Sequence, residues 1–180
     1  MQGTSGAALS LVVLFILPSP LSAKGDIVKV TMQGVDLASP LEIHPNIGEF
    51  NVWAGPGTSD GVQTGRFNPF LIEWSQGVVA PPPAGLPRYE VSFHSGCRAG
   101  GGDRTCESRL VYVVSYVYDP EAGQGFVYLP GKNDAWYRLN TSSIFRGGLE
   151  GNWFRATDDW VRFAMRRMAE ARAKAPARRE

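Results

Sequence analysis

The chain has 180 residues and a formal charge of +1; 43% of its residues are hydrophobic and 19% charged, with 21 Gly, 13 Pro, 2 Cys and 2 His. That composition describes one globular domain, too charged for a membrane bundle and too apolar for a disordered chain. With two His and two Cys, most enzyme classes built on His clusters or paired Cys sites lack their parts.

Residues 7–17 form an apolar run that Pro18 and Pro20 break, and Ser22-Ala23 offers a small-residue exit before Lys24. This reads as a secretory signal peptide over residues 1–23, with the mature chain a single β-rich domain over 24–180. The run is shorter than the roughly 20 residues a bilayer core demands, so no transmembrane anchor is expected. Export would place Cys97 and Cys106 in an oxidising compartment, where paired cysteines form a structural disulfide. The segment they bracket contains Gly100-Gly101-Gly102, and closing a loop of about ten residues is worth about 2.5–3 kcal/mol. A competing arrangement makes His94, Cys97 and Cys106 metal ligands, completed by Asp103 or Glu107. Its spacing matches no specific zinc pattern, so neither a metal nor a cofactor is expected.

Strand signals then dominate. Alternation over 27–32 predicts a first strand, followed by extended pieces at 41–43, 50–53 and 70–74. Pro81-Pro82-Pro83 and Pro87 cannot join a ladder and predict a surface connector. Residues 89–94 and 109–118 read as an antiparallel hairpin. The second of these is apolar on both faces, with Leu110, Tyr112, Val114, Tyr116 and Tyr118 on one and Val111, Val113 and Val117 on the other, which marks a central strand. Turn chemistry at Asp119-Pro120 and Gly123 leads back into a strand over 126–130, and Trp136-Tyr137-Arg138-Leu139 reads as the third strand of a meander. The fold class is mainly β: an antiparallel meander, small sandwich or open barrel.

The last segment changes period. Thr157 is placed to cap a helix over about 157–175, Asp158 and Asp159 suit its positive end, and Trp160, Val161, Ala164, Met168 and Ala171 form its apolar stripe. Beyond Thr157 seven basic residues face four acidic ones, whereas 24–155 carries eleven basic and thirteen acidic. A domain body that is slightly acidic offers no nucleic-acid footprint.

Asp36-Leu37-Ala38-Ser39-Pro40, the stretch Phe50-Asn51-Val52-Trp53-Ala54-Gly55-Pro56-Gly57, and Tyr118-Asp119-Pro120 followed by Gly125-Phe126-Val127-Tyr128-Leu129-Pro130-Gly131 resemble a group of small exported bacterial proteins. The likeness extends to Trp136-Tyr137 and to Gly151, Trp153, Ala156 and Trp160. The group has no assigned activity, so the resemblance implies bacterial export and supplies neither ligand nor catalytic residue.

The chemistry-bearing residues favour binding over turnover. His94 and Ser95 are neighbours on a strand and point to opposite faces, so they make no dyad, and the carboxylates fall at no paired spacing. The leading expectation is an exported non-catalytic β domain, an envelope or secreted binding or structural module. Tyr118, Tyr128 and Tyr137, near hairpin ends, are its candidate ligand-facing aromatics, suited to envelope polysaccharide or peptide. One alternative is a hydrolase or metal-dependent enzyme centred on His94. The other is adhesion to anionic lipid or another anionic surface through Arg166, Arg167, Arg172 and Lys174.

Overall fold

The computed structural model describes residues 25–45, 49–58, 70–96 and 107–174. The expected leader and the expected Cys97–Cys106 crosslink lie outside those residues. Seven strands are present among the described residues: β1 (Ile27–Gly34), β2 (Leu41–Ile43), β3 (Val78–Val79), β4 (Arg88–Ser95), β5 (Arg109–Asp119), β6 (Gln124–Tyr128) and β7 (Trp153–Arg155). Two α-helices accompany them, α1 (Tyr137–Ser143) and α2 (Asp158–Lys174). All strands join one antiparallel sheet in the order β2-β1-β4-β5-β6-β7-β3, not closed into a barrel. The expected antiparallel β domain with a C-terminal helix is therefore what the chain forms, and β5 occupies the middle of the sheet as its two apolar faces require.

One face of the sheet holds the main core. Val30, Met32, Val91, Phe93, Tyr112, Val114 and Tyr116 are all buried there. Helix α2 lays Trp160, Ala164 and Met168 on this face, and Trp160 meets Tyr116 edge-on at 5.8 Å between ring centres. The Thr157 hydroxyl accepts from the Trp160 backbone N–H at 3.2 Å, the cap its sequence position suggests. A bulge between Ile27 and Lys29 breaks the alternation of β1, so Ile27 turns inward while Val28 stays exposed.

Three expected strands are corrected. Trp136 to Leu139 is not the third meander strand: Trp136 precedes α1 and the other three residues begin it, while β7 runs beside β6 instead. The α1 sequence, Tyr-Arg-Leu-Asn-Thr-Ser-Ser, is poor in strong helix formers, so tertiary contacts hold it. The Trp136 indole donates to Glu90 Oε2 at 2.7 Å, and Thr141 and Ser142 donate back to the carbonyls of Tyr137 and Leu139. Residues 50–53 form turns rather than a strand, for a reason given below. Residues 70–74 make only the single bridge Ile72–Ala156 before a one-turn 3-10 helix, Trp74–Gln76.

Strand β5 outruns β6. Their pairing stops at Ser115–Tyr128, and two residues further the register would set Pro130, which lacks an N–H, opposite Val113. Asn140 of α1 takes that place: its Oδ1 accepts from the Val113 N–H at 2.8 Å and its Nδ2 donates to the Val113 carbonyl at 2.7 Å. Both residues are buried, so neither backbone group has water to fall back on. Asn140→Ala should therefore cost about 2–4 kcal/mol by orphaning both groups, read as a lower midpoint in urea unfolding. An unchanged midpoint would show that the pairing contributes nothing.

Candidate functional site

The most unusual side chain in the structure is Arg146, which is fully buried in the segment after α1. Its Nε donates to the Tyr112 hydroxyl at 3.0 Å, one terminal nitrogen to the carbonyls of Ala54 and Pro56 at 2.9 Å each, and the other to the carbonyl of Val52 at 2.8 Å. The guanidinium carbon also lies 4.9 Å from the ring centres of Phe70 and Trp74 and 5.3 Å from that of Tyr112. Carbonyls at alternate positions, which a strand would offer to a neighbouring strand, are here offered to one cation; this is why 50–53 does not join the sheet. Gly57 makes the close approach feasible, since a Cβ there would sit 2.0 Å from the Phe145 carbonyl oxygen at a φ of +76°. Burial raises the Tyr112 phenol above 10, and the opposing pull of Arg146 does not overcome it.

Next to this hub lies a cleft of about 350 Å³. Strand β5 contributes Arg109, Leu110 and Val111, α1 contributes Leu139, Ser142 and Ser143, and Trp53 closes the third side. Two of these walls are fastened by buried polar side chains. Trp53 sits between Val52 and Ala54, whose carbonyls Arg146 holds, and its indole N–H donates to the Gly25 carbonyl at 2.8 Å. Leu139 precedes Asn140, the residue that pins α1 to β5. None of Asn140, Arg146 and Trp53 stands out in the sequence as a site residue; Trp53 reads as one aromatic among many.

The residues that do stand out in the sequence do not all converge. Tyr118 pairs with Gly125 and packs on the core face with Tyr116, whereas Tyr128 pairs with Ser115 and lies on the opposite face. Tyr137 is half-buried at the start of α1. Tyr128 belongs to an aromatic cluster on the outer face, 5.1 Å from Trp153, with the Arg88 guanidinium 5.2 Å over Trp153 and 5.8 Å from Tyr128. The Tyr128 hydroxyl donates to Asp134 at 2.8 Å, and burial followed by that carboxylate raises its phenol above 10. Here the protein's own arginine and carboxylate already occupy the rings and hydroxyl.

His94 lies four residues along β4 from Glu90, which is two strands from Tyr128, about 13 Å along and 10 Å across. Its ring nitrogen is 3.5 Å from the Thr31 hydroxyl. Burial first and Lys29 second lower its pKa, against a smaller opposite push from Glu42, so the ring is neutral at pH 7. Ser95 is buried and donates to the Gly96 carbonyl. Among the described residues no group of three His, Cys, Asp or Glu is placed to hold a metal ion; Cys97, Asp103 and Cys106 lie outside them. No described helix is long and apolar enough to cross a membrane.

On α2, Arg167 pairs with Glu170 at 2.8 Å and Arg166 lies 5.8 Å from the Phe163 ring centre. Arg172 folds back to pair with Asp36 and donates to the Tyr89 hydroxyl at 3.1 Å, while Tyr89 donates to Asp36 at 2.7 Å. The Lys174 side chain lies outside the described residues. Arg172 is thus a clasp that ties the helix end to the β1–β2 turn. No family model, curated protein or solved structure matches the chain.

The clasp has a pH window. Burial pushes the Asp36 carboxyl up, but hydrogen bonds from Tyr89 and Arg172 and the Arg172 charge outweigh it, leaving the carboxyl below 3.8. Burial and then Asp36 raise the Tyr89 phenol to about 12. A lowered carboxyl stabilises the fold above its unfolded value and loses that contribution as pH falls through the folded one; a raised phenol does so below 10 and loses it as pH climbs toward 12. The Tm gap between the native protein and Asp36→Asn should be flat from pH 5 to 9 and narrow below about pH 4. A gap that persists unchanged at pH 2.5 would remove the clasp.

Proposed function

We propose that the protein is an exported, non-catalytic binding module that holds a small ligand in the cleft between β5, α1 and Trp53. The observation that carries this reading is that Asn140 and Arg146, two fully buried polar side chains, both fasten walls of that cleft. Buried polar groups are costly to place, and two of them serving one concavity favour a preorganised site. Its volume falls at the lower end of the range of small-molecule pockets, roughly 300–1,000 Å³. Among the described residues the lining supplies two serines with no imidazole or carboxylate in it to accept a proton, which supports binding rather than turnover. Export is supported by the signal-peptide pattern of residues 1–23.

Native protein should begin near Lys24 by mass measurement. An NMR screen of that material against a library of small organic molecules should give hits that shift the Trp53 indole and Leu139 signals. Ser143→Phe, which fills the cleft from its rim, should abolish them with a Tm change of no more than a few degrees. Hits that map instead to Tyr128 and Trp153, that survive Ser143→Phe, or that are turned over at enzyme-like rates contradict the proposal.

A further inference from the structure

We infer that the cleft takes a small organic monocarboxylate carrying one apolar group, an assignment that rests on the binding reading above. The lining divides in two. Trp53, Leu110, Val111 and Leu139 give the lining its apolar part, and the Trp53 indole N–H donates to the Gly25 carbonyl. The polar groups are Arg109, Ser142 and Ser143. A guanidinium only donates, and among the described residues the cleft lining contains no acidic side chain.

Arg109 is also uncommitted where most of the other described arginines are engaged; Arg138 on α1 is equally unpaired but does not line the cleft. Arg146 is spent on carbonyls, Arg162 and Arg167 pair with carboxylates on α2, Arg172 holds Asp36, and Arg155 donates to Gln124. Among the described residues no carboxylate pairs with Arg109, whose side chain is exposed at the cleft rim. A planar guanidinium fork matches a carboxylate in bidentate geometry, and a single cation balances a single negative charge, where a phosphate dianion calls for more. The apolar lining requires that the charge be carried by a molecule with a hydrophobic body.

Three probes of nearly one shape separate charge from shape: phenylacetate, phenylacetamide and phenethylamine. Each is titrated into the full mature protein while the Trp53 indole resonance, assigned by its loss in Trp53→Phe, is followed by NMR. Phenylacetate should bind about tenfold more tightly than the amide, and the amine should be weakest. Arg109→Gln, a surface change, should bring the acid and the amide level, whereas Arg109→Lys should keep part of the preference and Arg167→Gln all of it. Equal binding of acid and amide to the native protein, or a preference for the amine, overturns the carboxylate and leaves the cleft reading intact. No response at Trp53 from these probes and from the small-molecule library alike overturns the cleft itself.

Discussion

A cation buried with no carboxylate partner among the described residues organises this molecule. Moving a charged group from water into a protein interior costs several kcal/mol even after relaxation, and the Arg146 guanidinium meets that cost with four hydrogen bonds and three aromatic faces. Hydrogen bonds to a charged group are worth roughly 1.5–3 kcal/mol each, so the full set offsets the desolvation and a partial set would not. The consequence is all-or-none: the loop over 52–56 either wraps the guanidinium completely or leaves a naked charge in the core. That is how a segment with no regular secondary structure is tied to the core at three carbonyls.

The second constraint is a mismatch of strand lengths. Strand β5 has 11 residues and β6 has 5, so half of the central strand would face nothing on that side. Asn140 completes one step of the ladder with a side chain, and the space beyond it, between α1 and the loop fastened by Arg146, is the cleft. The concavity is thus a product of topology: beyond Ser115 β6 no longer pairs with β5, and the space is walled by two elements each held through one buried polar residue. The outer-face cluster of Arg88, Tyr128 and Trp153 differs in kind, because its rings and charges satisfy one another.

What the sequence made legible follows from range. The β4–β5 hairpin, the two-faced β5 and the capped α2 rest on local periodicity and on contacts between neighbouring residues, and each is where the pattern put it. The strands expected at 50–53 and 136–139 failed because aromatic and β-branched content speaks for burial, while the partners that bend those segments are 46 to 94 residues away. Arg146 itself precedes Gly147-Gly148 and looks like any turn arginine; its partners at Tyr112, Pro56, Ala54 and Val52 carry no mark in the intervening sequence. The cleft was illegible for the same reason, being assembled from three segments whose nearness only the long-range hydrogen bonds create.

The most direct test of Arg146 as the organising centre is native-state hydrogen exchange in Arg146→Met, which keeps apolar length and removes every donor. The Trp53 and Thr58 amides, bonded to Asn51 Oδ1 and the Gly55 carbonyl within the wrapped loop, should exchange at least about 100-fold faster relative to the β5 amides. Protection of those two amides equal to the native level, with β5 as the internal reference, would contradict the account.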